Sequence, residues 1–121
     1  MNRIEKDNMK PTRFYSKKQE TKVAKAIEGK PVANSGAAPF VAGDVTTDTF
    51  LIECKTCVKE KQSFSIKKEW LEKNEKEKFM IGKLYSALAF DFGGDEQYYI
   101  INERLFKKLV KFLKQEDAVN E

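Results

Sequence analysis

The chain has no histidine among its 121 residues. That excludes Ser-His-Asp and Cys-His hydrolases, histidine-dependent nucleases and most zinc enzymes. Any hydrolytic chemistry must run on carboxylates, lysine, hydroxyls or a bound metal. Cysteine is scarce too: Cys54 and Cys57 are the only two, spaced C-x-x-C. A zinc site needs about four nitrogen or sulfur ligands, which two cysteines cannot supply. A redox C-x-x-C works best at a helix N-terminus, whereas Cys54 ends a strand-like segment. Two reduced, partly buried thiols are expected. No apolar run approaches the ~20 residues that span a bilayer. The first ten residues, MNRIEKDNMK, carry no apolar core of a secretory signal. The expectation is a cytoplasmic protein without a membrane partner (the host cell's cytoplasm, if a phage encodes it).

Charge is abundant and uneven. Hydrophobic residues make up 40% and charged residues 35% of the chain, a soluble balance that suits one domain. The formal net charge is +4, but residues 1–30 carry nine Lys or Arg against four acids. Residues 31–60 carry two against four, and the remainder twelve against eleven. A basic N-terminus beside an acidic middle suits a chain that approaches a polyanion and holds a cation against it. A short basic tail that merely aids solubility is the plain alternative.

The periodicity predicts a single α/β domain. Residues 1–15 lack a pattern and read as a flexible basic arm; the domain proper is 16–121. A helix starts at Ser16, with Gln19 completing a capping box. It stops at Gly29, and its stripe is Val23, Ala24 and Ile27, with Glu20 on the same face. VANSGAAPFVAGD reads as a short strand and then a loop. DVTT and TFLIECKT form a hairpin around Thr47-Asp48. QSFSIKKEWLEKNEKEKFM passes from a strand end into a helix capped by Ser65. LYSALAFDF and QYYIIN are strands, and Asn102 caps a last helix. The order α-β-β-β-α-β-β-α gives a mixed central sheet flanked by helices. The last helix's Leu105, Phe106, Leu109, Val110 and Leu113 are read as core first and interface second. Phe14, Tyr15, Phe79, Tyr98 and Tyr99 are read as ordinary packing first and as a dimer surface second.

The segment that carries chemistry is GDVTTDTFLIECKT, residues 43–56. An apolar strand, Phe50-Leu51-Ile52, runs directly into Glu53, Cys54 and Lys55. Alternation puts Phe50, Ile52 and Cys54 on one face and Leu51, Glu53 and Lys55 on the other. The hairpin brings Asp44 back alongside. Two carboxylates facing one point repel each other, and a divalent cation relieves that repulsion. Mg²⁺ keeps several waters, so two carboxylates and the backbone carbonyl of Cys54 suffice to hold it. Such an ion lowers the pKa of a bound water and offsets charge on a phosphoryl oxygen, and Lys55 assists. E-x-K alone is a weak signal, for it also occurs at Glu20 and Glu28. Only the third copy ends an apolar strand with an Asp upstream. A surface hairpin with a weak Glu-Lys pair, worth roughly 0–1 kcal/mol, is the competing reading.

The same segment resembles the active-site hairpin of the PD-(D/E)xK nuclease superfamily. The wider run NSGAAPFVAGDVTTDTFLIECKT, followed by FSIKKEW, is similar to archaeal-type Holliday junction resolvases and their phage counterparts. The likeness covers about residues 16–92. It implies a restriction-endonuclease-like fold and a homodimer that nicks four-way DNA junctions with Mg²⁺, with Mn²⁺ expected to substitute. By resemblance Asp44 and Glu53 match the metal-binding acids, Lys55 the catalytic lysine, and Glu20 the acid of the first helix. Ser35 matches a serine that helps hold the scissile strand. Arg3, Lys6, Lys10, Arg13, Lys17 and Lys18 would contact phosphates without reading sequence. Two departures stand out. Gly43 replaces the proline that usually precedes the first acid, and Trp70 replaces a helix glutamine, leaving Glu69 or Gln62 as candidate stand-ins. Another nicking or repair nuclease on the same scaffold, a carboxylate-only resolvase of the RNase H-like kind, and a non-catalytic nucleic-acid-binding domain are the alternatives.

Overall fold

The structure is a computed structural model that describes residues 12–32 and 43–120, with side chains over 14–32 and 43–119. Helix α1 spans Thr12–Ile27 and is followed by strands β1 (Lys30–Pro31), β2 (Val45–Thr46) and β3 (Phe50–Lys55). Helix α2 (Lys68–Met80), strands β4 (Tyr85–Phe90) and β5 (Tyr98–Ile100), and helix α3 (Glu103–Asn120) complete the order. The α/β class and the succession of elements are those expected from the sequence.

The five strands lie in the order in which the chain makes them, β1-β2-β3-β4-β5. Only β3 and β4 are parallel, with Ile52 opposite Ala87 and Lys55 opposite Phe90. That pair requires a crossover, and α2 supplies it. The other neighbours are antiparallel. Pro31 is tolerated because β1 is an edge strand. The hairpin turn is closed by Thr47, whose Oγ1 accepts the backbone N–H groups of Thr49 and Phe50 at 3.2 and 2.9 Å.

Alternation along β3 sets the two layers. Ile52 packs with Val23 and Ala24 of α1, Val45, Ala87 and Ala89, and Phe50 and Cys54 lie against that cluster. The two alanines of β4 let α1 approach the sheet closely. Leu51 and Leu88, both fully buried, face the opposite way, towards α2. There Asn74 Nδ2 donates to the carbonyls of Leu51 and Ala87 at 3.3 and 3.1 Å. Burying Leu51 and Leu88 contributes about 1.5–3 kcal/mol each.

Several boundaries differ from expectation. Helix α1 begins at Thr12, so residues 12–15 belong to it rather than to the arm, and Ser16 is interior. Pro11-Thr12 is as good a start signal as Ser16-Lys17, since proline is favoured in a first helical turn. The first strand is Lys30–Pro31, one residue before the stretch expected to carry it; the loop assigned to 33–42 lies outside the described residues. Helix α2 begins at Lys68 behind Lys67, which makes no side-chain cap bond, so Ser65 is not its cap. Asn102 does cap α3: its Oδ1 accepts the Leu105 N–H at 2.9 Å.

The larger correction concerns α3. Its apolar stripe is not core: every described side chain from Phe106 onward is exposed. Helical periodicity reveals an apolar face but not what covers it. Phe14, Phe79, Tyr98 and Tyr99 are likewise exposed, at 40% or more, while Tyr15 is half-buried. Among the described residues no helix is long and apolar enough to cross a membrane.

Candidate active site

Strand β2 is short, and its ladder with β3 ends at Val45 opposite Ile52. Asp44 carries the pairing further. Its N–H donates to the Ile52 carbonyl at 2.9 Å, and its carbonyl accepts the Val32 N–H at 2.8 Å. Beyond that point the side chain takes over: Asp44 Oδ2 accepts the Cys54 N–H at 2.7 Å. The carboxylate is therefore fastened against β3, next to Glu53. Gly43 makes this turn possible. Its φ of +61° is one that L side chains rarely adopt, and an added Cβ would lie 2.5 Å from Leu51 Cδ1. A proline, with φ fixed near −65°, cannot stand there. The Gly43 N–H in turn donates to Glu77 Oε2 of α2 at 2.9 Å.

Glu53 and Lys55 share the α2 face of the sheet, as the alternation requires. Lys55 Nζ lies 3.5 Å from Glu53 Oε1. Burial raises the Glu53 carboxyl above its ordinary 4.5, and the charge of Asp44 raises it further, while Lys55 pulls it back. So the two acids are close enough to repel, and the lysine only partly compensates. The Cys54 thiol registers the same field. Burial first, then Asp44, Glu20, Glu53 and Asp91, push it far above its ordinary 9.0. Both cysteines are free thiols and half-buried, as expected.

This local excess of negative charge suits a small hard cation. Mg²⁺ is commonly held by one or two carboxylates plus water, and Asp44, Glu53 and the Cys54 carbonyl match that need. Glu20 is half-buried on α1 and adds its charge at the Cys54 thiol. Among the described residues no three Cys, Asp or Glu side chains are gathered closely enough to form a metal cluster by themselves. The fit is thus to a sparsely liganded, hydrated ion, not to a closed structural site.

Trp70 lies against Lys55. Lys55 Nζ sits 4.5 Å from the centre of its ring. Glu69 and Gln62 are both exposed, and the ring face of Trp70 is what meets the lysine. Trp70 is itself backed by Phe64, which stacks on Phe90 at 5.5 Å.

A buried polar network behind β3 escapes the sequence reading. Gln19 is only 3% exposed. Its Nε2 donates to the Lys55 carbonyl at 2.8 Å and lies 3.2 and 2.9 Å from the Ala89 carbonyl and Gln97 Oε1. Gln97 Nε2 donates to Asp91 Oδ2, and Thr56 Oγ1 and the Gly93 N–H donate to Asp91 Oδ1, each at 2.8 Å. These bonds fix the end of β3, from which Glu53 and Lys55 project. Gln19 precedes Val23 by four residues, so helical spacing places it on the buried face. The capping-box pattern points it to the helix start instead.

The remaining candidates are spread out. Lys17 and Lys18 are exposed on α1, near Lys22, which pairs with Asp95. Arg3, Lys6, Lys10 and Ser35 lie outside the described residues, as does the side chain of Arg13. Compared with protein-family models, with curated proteins and with solved structures, the chain shows no significant match.

Proposed function

We propose that this protein is a Mg²⁺-dependent, structure-selective DNA endonuclease that acts as a homodimer on four-way junctions. The observation that carries the reading is the convergence of Asp44, Glu53 and Lys55 at one end of β3: a carboxylate pinned to the Cys54 amide, a second carboxylate that it repels, and an ammonium 3.5 Å from the latter. The family resemblance of residues 34–56 supplies the junction and the dimer.

Each residue has a role that its surroundings support. Asp44 and Glu53, with the Cys54 carbonyl, would hold the ion. A bound Mg²⁺ supplies Lewis-acid activation of water and stabilises charge on the phosphoryl group. Lys55 orients its ammonium between Glu53 and the Trp70 ring, where it neutralises negative charge developing on a phosphate. Gln19 holds the Lys55 backbone, so the side chain starts from a fixed point. Glu20 adds negative potential that favours cation capture. A pocket of this kind sees only a phosphate, so selectivity must come from the spacing of two sites on a two-fold pair. Lys17 and Lys18, with the N-terminal basic residues, contact phosphates irrespective of sequence.

The test is a gel assay on four-way, Y-shaped and linear DNA, with and without Mg²⁺ or Mn²⁺. The expected result is metal-dependent paired nicking of the four-way substrate. Asp44→Ala should abolish cleavage while sparing junction binding. Binding without cleavage by the unaltered protein would leave a non-catalytic DNA-binding domain as the better reading. A fully active Lys55→Ala protein would favour a carboxylate-only mechanism, and preference for a Y-shaped substrate a different nicking enzyme.

A further inference from the structure

Helices α2 and α3 are both rich in charge, but they carry it differently. On α2 three of the four lysines are matched: Lys68 pairs with Glu72, Lys73 with Glu77 and Lys78 with Glu75. On α3 the cations are unmatched. Arg104, Lys107, Lys108, Lys111 and Lys114 are all exposed, and among the described residues none of them forms an ion pair. Steps of three and four residues keep all five on one side of the helix. Phe106, Leu109 and Leu113 occupy the opposite side. Glu116 and Asp117 follow Phe112 and Leu113 by four residues, so they too lie on the apolar side. What remains is an unbroken basic strip about 15 Å long. Like charges at such spacing destabilise the helix that carries them, and a polyanion would reverse that.

The strip begins at a shaped recess. A hollow of about 270 Å³ is walled by Lys78, Tyr85, Ser86, Arg104 and Lys108. Lys108 Nζ lies 3.4 Å from the Tyr85 hydroxyl and 5.2 Å from the centre of its ring, so this side chain is aimed. Glu75, the carboxylate that also lines the hollow, is already held by Lys78 and Ser86. Arg104 and Lys108 are left for an anion. We propose that the basic side of α3, from this recess to Lys114, is a second DNA-binding surface that grips the phosphate backbone of one duplex arm. Duplex DNA carries one negative charge per about 1.7 Å of its axis, so a strip of this length meets enough phosphates for five cations. Contacts of this kind position a duplex without reading its sequence, as a structure-selective enzyme requires. The inference rests on the nuclease reading for the identity of the polyanion. The unmatched strip stands without it.

A basic amphipathic helix also suggests a lipid surface, but α3 fits one poorly. Laid on a bilayer by its apolar side, it would carry Glu116 and Asp117 towards the acyl chains and turn the strip to water.

Fluorescence anisotropy of the full chain on a labelled linear duplex in EDTA, between about 50 and 200 mM salt, tests the surface without cleavage. Each phosphate contact contributes about 0.9 to the slope of log affinity against log salt. Lys107→Gln with Lys111→Gln and Lys114→Gln should therefore lower that slope by about 2–3 and weaken binding about ten-fold or more at low salt. Circular dichroism should be unchanged, since glutamine forms helix about as well as lysine. Lys25→Gln with Lys30→Gln and Lys76→Gln removes the same charge from exposed positions elsewhere and should leave the slope as it was. Equal effects of the two triple variants would reduce α3 to its share of the net charge and overturn the proposal. So would an α3 variant that binds as the wild type does, or a wild type without affinity for duplex DNA. Preference for phosphatidylserine vesicles over duplex would overturn it in favour of lipid. Duplex binding that depends on α3 in a protein that cuts no DNA would refute the nuclease and leave this surface standing. A junction nuclease indifferent to the α3 changes would do the reverse.

Discussion

The ammonium of Lys55 rests against the face of Trp70, 4.5 Å from the ring centre, while its other neighbour is the Glu53 carboxylate at 3.5 Å. A flexible four-carbon side chain is thus held from two sides. The ring quadrupole attracts the cation without accepting one of its protons on a lone pair.

Removing the ring should loosen the lysine. A cation–π contact contributes about 0.5–2 kcal/mol depending on its solvation, so Trp70→Ala should slow cleavage roughly 2- to 30-fold. Trp70→Phe should retain part of the effect. Trp70 is the only tryptophan in the chain, which provides a readout independent of activity. Replacing Lys55 by Met should shift the tryptophan emission. An emission spectrum indifferent to that change would show that the contact does not form in solution.

A second expectation concerns the residue before the first acid. Gly43 and Gly82 both have positive φ, +61° and +73°. They differ in surroundings: an added Cβ at Gly43 would meet Leu51 at 2.5 Å, whereas nothing lies within 4 Å at Gly82. Gly82→Ala should therefore cost only the left-handed penalty, about 1–2 kcal/mol. Gly43→Ala should add an overpacking cost of about 1–3 kcal/mol. Gly43→Pro should be worse still, since it also removes the N–H that donates to Glu77. Urea unfolding of the three variants checks the ranking, and equal losses for the two alanines would contradict it.

These comparisons show where the sequence was informative. The hairpin was legible because alternation along Phe50–Lys55 and the Thr47 turn are local rules, and local rules suffice to put Glu53 and Lys55 on one face. The role of Trp70 was not legible, because it depends on how α2 lies across the parallel pair, which no spacing encodes. Gln19 was ambiguous because one residue satisfied two patterns, a cap and a buried stripe, and only tertiary packing decides between them. The stripe of α3 was visible, but its uncovered state was not. The number of apolar residues on a helix is the same whether it faces its own sheet or another molecule.

The Gln19 network supports a third expectation. Gln19→Leu keeps the apolar bulk but leaves the Lys55 carbonyl and Gln97 without their donor. A buried group left unsatisfied costs about 1–3 kcal/mol, so stability should fall by that order. Cleavage should fall beyond the loss of folded protein, because the end of β3 then starts the Lys55 side chain from a less fixed point. Amide hydrogen exchange offers the direct measurement: protection should drop at residues 54–56 before it drops elsewhere in the sheet. Uniform loss of protection would make Gln19 a general stability residue with no bearing on the site.

A fourth expectation is a pH dependence away from the candidate active site. Glu75 of α2 accepts from Lys78 Nζ at 2.5 Å and from Ser86 Oγ at 2.6 Å. The Lys78 and Ser86 hydrogen bonds hold its carboxyl below the ordinary 4.5 despite some burial. Its folded-state value is depressed, so the unfolded chain binds the proton more readily. Its contribution is then fully present above pH 4.5 and is lost as pH falls through the lower folded-state value. Glu75→Gln should therefore be less stable than the wild type at neutral pH, and the gap should close in acid. The Glu75 side chain is 37% exposed, so water screens the pair and the gap at neutral pH is of order 1 kcal/mol or less. Lys78 sharpens the test, since its side chain is only 9% exposed. Protonating Glu75 leaves that ammonium as poorly paired as the Gln substitution does, which is why the two proteins converge at low pH. A gap that persisted unchanged well below pH 4.5 would show that the loss comes from packing around the substituted amide and not from the charge of Glu75.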